Sequence, residues 1–318
     1  MNTGSLITII LPVRNRADLL PRTLHSLAAQ SLRPLKVIAV DNASTDSTHE
    51  ILTRWAEEVA TTGLEVTVLQ EKKPGASAAR NRGLREVTTP YVMFFDSDDE
   101  MLPGHTLRLA ECIAANPQAE VIGFDIAVRD DDGWTDIKSV NDSDLLRGHI
   151  LHASIATQKF ITKTNFVKTA GGWNEDLPRW NDLELGTRLL AAAKNPMIFH
   201  GDAGVIVHPS DKSISASGFA KDANLLNRAI DEMETDLRNN GKKEYLVWTG
   251  VRRMILAALI RREGDCESAR TMETIILKRH NGWKWRFKLR LIGATVRFYG
   301  RGGCLLAEML FSTKPQER

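Results

Sequence analysis

Cysteine is scarce in this sequence, with three in 318 residues, at positions 112, 266 and 304. They are too far apart for a zinc-ligand spacing and too few for a disulfide framework, which fits a reducing compartment. Each reads as a small apolar residue, buried or half-buried. An excess of one charge is also missing. The formal net charge is +2, so the chain as a whole has no pull on nucleic acid. No apolar run approaches the roughly 20 residues that cross a bilayer. Residues 1–11 lack the basic start and the long apolar stretch of a secretory signal. These absences predict a cytoplasmic protein. No Gly-x-Gly-x-x-Gly follows a strand and no Gly-Lys-Ser/Thr loop occurs. That counts against a dinucleotide oxidoreductase and a P-loop phosphotransferase.

What is present reads as an ordinary globular chain, long enough for one large domain or two smaller ones. Residues 6–12 predict a first strand, and Leu20, Leu24 and Leu27 recur after it at helical spacing. Residues 36–40 predict a second strand, with Ser44 or Asp46 able to cap the helix through Ile51, Leu52 and Trp55. A third strand over 64–69 and a loop entering a helix over 75–87 follow. Next come a strand over 91–95 and a helix over 103–115. Strand and helix thus alternate four times in the first 116 residues, which predicts right-handed βαβ units and a parallel core. The rhythm then changes. Residues 120–128 predict one strand and 130–133 a hairpin turn. A short helix over 142–151, a strand over 158–161, a helix over 183–193 and one or two strands over 197–207 follow. From residue 219 the chain reads as helical, with breaks near Gly241, Gly264 and Gly282.

The sharpest chemical signal is Tyr91-Val92-Met93-Phe94-Phe95-Asp96-Ser97-Asp98-Asp99. The apolar run suits a strand buried on both faces. The acids then fall just past its carboxyl end, where open α/β sheets bind ligands. Three carboxylates so close repel one another unless a cation sits among them, and hard oxygen ligands favour magnesium, manganese or calcium. The plainer alternative is a solvated acidic turn. Asp41 ends the second strand at the same sheet edge, where it can accept hydrogen bonds from a base or ribose, or simply cap a turn with Asn42 and Ser44. Residues 75–83 are small and then basic, which lets a helix N-terminus approach an anion closely.

Taken together, Ile9-Ile10-Leu11-Pro12-Val13-Arg14-Asn15, Val40-Asp41-Asn42-Ala43-Ser44-Thr45-Asp46, residues 75–83 and Phe94-Phe95-Asp96-Ser97-Asp98-Asp99 stand in the order found in family 2 glycosyltransferases. The chain resembles a GT-A fold enzyme over roughly residues 5–215. The fold so implied is α/β, a Rossmann-like nucleotide-binding domain with a mixed, mainly parallel central sheet, followed by a C-terminal helical region. The resemblance implies that Pro12, Val13, Arg14, Asn15, Asp41, Ala79, Arg80, Asp96 and Ser97 hold a nucleotide-sugar, most simply a UDP-sugar. It implies that Asp98 ligates a divalent cation, Mn2+ or Mg2+, with His208 as a further ligand or diphosphate contact. Ser213 and Ser215 lie in the same late loop. Arg14 stands where the family often has an aromatic or polar residue. Gly171-Gly172-Trp173-Asn174-Glu175-Asp176 and Arg179-Trp180-Asn181-Asp182-Leu183-Glu184-Leu185 are similar to the family's acceptor loop and catalytic-base segment. By that likeness Asp182 is the base, and Trp173, Asn174 and Trp180 face the acceptor. The usual Glu-Asp pair is Asn181-Asp182 here.

The implied activity is metal-dependent, inverting transfer of a sugar to a hydroxyl of a glycan or lipid-linked acceptor in cell-surface polysaccharide synthesis. A sugar nucleotidyltransferase and a non-catalytic nucleotide-sugar-binding protein are the alternatives, and the Asp182 segment argues against both. The implied division is a catalytic domain over 1–215, with a nucleotide-binding half (1–116) and an acceptor half (117–215), and a helical region over 216–318. Between Glu273 and Glu308 no acid occurs, while Lys and Arg alternate with Trp, Phe and Leu over 278–301. That mixture suits an anionic membrane surface, and equally a basic helix packed on the catalytic domain. Nucleic acid is disfavoured as a partner.

Overall fold

Apolar, β-branched runs separated by amphipathic helices build the first half of the molecule. A computed structural model describes residues 5–129, 133, 135–140, 143–209, 218–279 and 282–311. In chain order come β1 (Ile7–Val13), α1 (Leu20–Ala28), β2 (Leu35–Asp41), α2 (Thr48–Val59), β3 (Leu64–Gln70), α3 (Ala76–Glu86) and β4 (Tyr91–Phe94). Next are β5 (Glu100–Met101), α4 (His105–Ala115), β6 (Val121–Phe124), β7 (Ile126–Arg129), β8 (Thr135–Lys138), α5 (Leu145–His152), β9 (Phe160–Lys163) and α6 (Thr164–Thr169). Then follow α7 (Asn181–Ala192), β10 (Met197–Phe199) and β11 (Val205–Val207). The chain closes with α8 (Ala223–Asn239), α9 (Leu246–Arg262), α10 (Cys266–Arg279), α11 (Trp283–Tyr299) and α12 (Gly303–Phe311).

The central sheet has seven strands in the order β10-β6-β9-β4-β1-β2-β3. It is mixed and mainly parallel, as expected, with β9 alone running antiparallel to both of its neighbours. Successive residues of β1 serve opposite cores. Ile10 joins Phe94, Leu84 and Val40 under α3, while Ile9 and Leu11 join Leu24, Leu27 and Leu52 under α1 and α2. Burial on both faces is what an unbroken apolar run requires. On the α3 side the hydrophobic cluster continues through Leu183 and Leu189 into Met233, Val251 and Leu289 of the C-terminal helices.

The predicted strand over 120–128 is two strands in two sheets. β6 lies in the central sheet, and β7 belongs to a second sheet of order β5-β11-β7-β8. The step falls at Asp125, whose Oδ1 accepts a 2.8 Å hydrogen bond from the Val140 N–H. The strand expected over 158–161 begins only at Phe160, because residues 157–159 form a 3₁₀ turn. β5, α6 and α12 were not anticipated. The last break falls where Gly300 (φ 73°) and Gly302 (φ 87°) adopt left-handed backbone. The expected turn at 130–132, the loop bearing Ser213 and Ser215, and the 215/216 boundary lie outside the described residues. Cys266, expected to be buried or half-buried, is exposed at the start of α10, while Cys112 is buried and Cys304 half-buried.

α4 opens on His105, which is 2% exposed. Its ring packs edge-on to Phe124 at 4.7 Å, and neither nitrogen has a hydrogen-bond partner among the described residues. Burial pulls its pKa down to about 3. The folded value lies below the unfolded value of about 6.5. Between those limits the unfolded chain therefore holds a proton that the folded chain does not, and stability falls as pH falls. His105→Leu removes this loss. Its stability relative to wild type should rise by about 2 kcal/mol between pH 7 and pH 5, read from urea midpoints. An unchanged difference at the two pH values would contradict the account.

Candidate active site

The parallel register sets the site. Val13 pairs with Asp41 and Asp41 with Gln70, while Ile10 pairs with Phe94. The carboxyl ends of β1, β2 and β4 therefore share one edge. Asp41 is 2% exposed. Its Oδ1 accepts from the Ser44 N–H at 3.0 Å, and its Oδ2 lies 3.4 Å from His49 Nδ1. Asn15 latches the loop after β1 to the loop after β2. Its Oδ1 accepts from the Thr45 N–H at 2.8 Å, and its own N–H donates to Ser44 Oγ at 3.0 Å. Asn15 (φ 50°) and Ala43 (φ 54°) both hold left-handed backbone, a costly conformation for side-chain-bearing residues that collects at ligand sites. Pro12 and Val13 are buried and Arg14 is exposed.

Asn42 places the start of α3. Its Oδ1 accepts from the Gly75 N–H at 2.8 Å, and its Nδ2 donates to the Lys73 carbonyl at 2.7 Å. α3 lies so close to the sheet that a Cβ on Gly83 would stand 2.8 Å from Ile10 Cγ2. Along that helix Ala79 is buried, and Arg80, 5% exposed, reaches Asp96 Oδ1 at 2.7 Å.

The acidic turn is a built cluster. Thr23 Oγ1 donates to the Asp99 carbonyl at 2.7 Å, and Ser26 Oγ accepts from the Met101 N–H at 3.0 Å, so α1 grips it from below. Gln158 Nε2 donates to Asp96 Oδ2 at 2.9 Å and also bonds Asp99 Oδ2. Burial, and then the Asp96 charge, push Asp99 up to about 8. Burial and Asp96 also raise Asp98, against the pull of Arg16 and Arg22. Asp98 Oδ2 lies 3.4 Å from Arg16, and Arg22 bonds the Asp98 carbonyl. Ser97 is buried between the acids. The backbone of His208 joins the cluster through a 3.0 Å bond from its N–H to Asp99 Oδ1. Its buried Nε2 has no hydrogen-bond partner among the described residues and lies at ion-pair distance, 3.5 Å, from Glu100 Oε2.

These donors suit a hard divalent cation. Among the described residues no group of three or more His, Cys, Asp or Glu side chains forms a cage. Magnesium-like ions are commonly held by one or two carboxylates, with substrate phosphates completing the shell. Asp98, half-buried in a cluster of acids, and the buried His208 Nε2 beside Glu100 fit that pattern.

Asp182 stands in the first turn of α7. Its Oδ1 accepts from the Leu183 N–H at 2.8 Å. Its charge acts on Lys159 and on the half-buried Arg252. Burial lowers the pKa of Lys159, and Asp182 opposes that shift. Trp180, just before the helix, holds left-handed backbone (φ 57°), with the Arg252 guanidinium 4.6 Å from its ring centre. Asn181 donates from Nδ2 to Ser77 Oγ at 3.0 Å, tying α7 to α3. His149 braces the same turn from beneath. Its Nε2 meets the Leu183 carbonyl at 3.0 Å, its Nδ1 accepts from the Ile155 N–H at 3.1 Å, and only a glycine fits opposite it at position 186.

One expected acceptor residue is elsewhere. Trp173 is 2% exposed, with the Arg80 guanidinium 4.3 Å from its ring centre and an edge-on contact to Phe94 at 5.0 Å. It is a core aromatic that backs Arg80, and it offers no face to a sugar. The segment 172–173 is pinned from α3, since Asn81 Oδ1 accepts from the Trp173 N–H at 2.9 Å. Asn174 is half-buried and accepts from the Asp176 N–H at 3.0 Å.

The family model for glycosyl transferase family 2 matches residues 8–170, half of the chain. The chain belongs to that family. Among curated relatives, the glycosyltransferase YibD of Escherichia coli K12 is 36% identical over 103 residues, which are 32% of this chain and 29% of that one. A PGL/p-HBAD biosynthesis glycosyltransferase of Mycobacterium bovis BCG is 29% identical over 125 residues, 39% of this chain and 48% of the relative. The chain thus spans less than half the length of these relatives. Among solved structures, Staphylococcus aureus TarS 1–349 in complex with UDP-GlcNAc superposes with a TM-score of 0.62 at 17% identity, over 93% of this chain and 92% of that one. The mannosyltransferase PcManGT of Pyrobaculum calidifontis, in complex with GDP-Man and Mn2+, gives 0.56 at 19% identity, over 93% and 88%. These neighbours identify the architecture as the GT-A fold.

Gln158, Lys159 and Arg252 were not singled out in the sequence. Gln158 bonds Asp96 and Asp99, and Lys159 and Arg252 act on Asp182 through charge, all by tertiary packing that no local motif marks. The Gln158-Lys159 pair directly before a strand was the only available hint.

Proposed function

We propose that this glycosyltransferase carries out metal-dependent, inverting transfer of a sugar from a UDP-sugar to a hydroxyl of a glycan or lipid-linked acceptor in cell-surface polysaccharide synthesis. On this reading it works in the cytoplasm against the inner face of the membrane. The observation that carries the reading is the single sheet edge shared by Asp41, the Arg80–Asp96 pair and Asp98, with α7, which carries Asp182, tied to α3 through Asn181 and Ser77. TarS with UDP-GlcNAc and PcManGT with GDP-Man and Mn2+ support a nucleotide-sugar donor and a divalent ion.

In this reading the nucleotide lies across the carboxyl ends of β1 and β2, with its base against Pro12, Val13 and Asn15 and its polar edge on Asp41. Arg80 and Asp96 form one unit at the ribose and diphosphate, with Ala79 small enough to admit the ligand and Ser97 shaping the turn. Asp98 and His208 would hold the cation, which would offset negative charge on the departing diphosphate. The transition state resembles an oxocarbenium ion, as in glycoside hydrolysis. Asp182 takes the acceptor proton as the new C–O bond forms. A single base and a single displacement invert the configuration. The positive charges of Lys159 and Arg252 favour an ionised Asp182, and Asn174 and Trp180 border the acceptor.

The test is product analysis with a panel of nucleotide-sugars and Mn2+. Release of nucleoside diphosphate supports the proposal. Release of pyrophosphate with a nucleoside triphosphate and a sugar phosphate would replace it with nucleotidyl transfer.

A further inference from the structure

α11 is apolar on two opposite faces. Leu289, Ile292, Gly293 and Val296 are buried against the fold, chiefly on α9. At about 100° of turn per residue, Trp283, Phe287, Leu291, Ala294 and Phe298 share an arc of roughly 80° on the other side. All five are exposed, Trp283 by 73% and Phe298 by 75%. Lys284 borders this stripe on one side, and Arg290 and Arg297 border it on the other. All three are exposed. Past the turn at Gly300, Leu305 and Met309 of α12, four residues apart, are 65% and 77% exposed, and Tyr299 is 77% exposed. An apolar groove of about 270 Å3 lies between α9 and these two helices, lined by Ile255, Leu259, Val296, Cys304 and Leu305, with Arg301 beside them.

We infer that this face of α11 and α12 docks on an anionic lipid bilayer. The inference takes from the proposed function only its place of work at the membrane. Large exposed aromatics arranged in one stripe are unusual on a free surface. Trp and Tyr favour the headgroup boundary, and Lys and Arg beside an apolar stripe suit anionic lipid. Charge selects this occupant over a second copy of the chain. No acid occurs between Glu273 and Glu308, so two such faces would meet with like charge. The contact is interfacial, since among the described residues no helix is long and apolar enough to cross a membrane. It also has a route to the chemistry, because α11 and α12 pack on α9, whose Arg252 lies against Trp180 beside Asp182.

The experiment is sedimentation of the full chain with phosphatidylcholine vesicles, with and without phosphatidylglycerol. Wild type should bind the anionic vesicles and lose affinity at high salt. Each basic residue at the surface contributes about fivefold. The triple variant Lys284→Glu, Arg290→Glu, Arg297→Glu should therefore bind on the order of 100-fold more weakly, and Trp283→Ser with Phe298→Ser should also lose binding. Unchanged melting temperatures show that the variants fold, and the shift given by UDP and Mn2+ reports the nucleotide site separately. Equal binding of wild type and the charge-reversed variant would overturn the inference. So would a wild type that ignores anionic vesicles, or one that instead dimerises through the stripe. Loss of the UDP shift in wild type, with vesicle binding intact, would count against the proposed function and leave the docking surface standing.

Discussion

Asp182→Asn should leave the protein folded and able to bind its donor, while transfer falls by about 10²–10⁴, the range typical of a lost general base. A sugar hydroxyl is a weak nucleophile until its proton has somewhere to go. Asp182 is the candidate to receive it, in the first turn of α7 and within the electrostatic reach of Lys159 and the half-buried Arg252. The competing role is visible in the same geometry, because Asp182 Oδ1 also accepts from the Leu183 N–H at 2.8 Å. Asn keeps that acceptor and caps equally well. A purely structural Asp182 therefore predicts near-normal turnover and stability in the variant. A base predicts near-normal stability with lost turnover. The assay must follow transfer to an acceptor, since slow hydrolysis of the donor can proceed without a base.

Asp98→Asn should abolish the metal-dependent part of nucleoside diphosphate binding. In the free protein, Asp98 is raised by burial and by Asp96, with Arg16 3.4 Å away only partly offsetting this. A divalent cation held by Asp98 would relieve that repulsion and supply positive charge for the diphosphate. Asn keeps the volume and loses the charge. Removing one buried like charge should leave the apo protein at least as stable as wild type. Calorimetry with UDP and Mn2+ reads the outcome. A wild-type gain in affinity on adding Mn2+ to the variant would remove Asp98 from the cation site.

How much of this was legible depended on whether the signal was local. β1, β2 and β4 were readable because a strand buried on both faces must be apolar throughout, and the acids at 41 and 96–99 mark where such strands stop. The order of motifs pointed to the fold and the family. The split between β6 and β7 was hidden because 121–128 is apolar but for Asp125, and only tertiary context makes that residue a corner. Trp173 reads like an acceptor contact in the sequence. Its position between Arg80 and Phe94 follows from the packing of α3 on the sheet. Gln158, Lys159, Arg252 and His149 reach the site from segments with no motif. The exposed stripe of α11 could be suspected from composition, but its opposition to the buried face emerges only when the packing on α9 is seen.

The central claim is that a nucleotide-sugar and a divalent cation meet at the common edge of β1, β2 and β4. The most direct measurement is an anomalous diffraction map from crystals grown with UDP and Mn2+. The account predicts a manganese peak bound to the Asp98 carboxylate, diphosphate beside Arg80, and the uracil edge on Asp41. Nucleotide bound elsewhere, for example in the cavity lined by Arg238, Arg253 and Arg279, or a manganese peak away from Asp98, would contradict it.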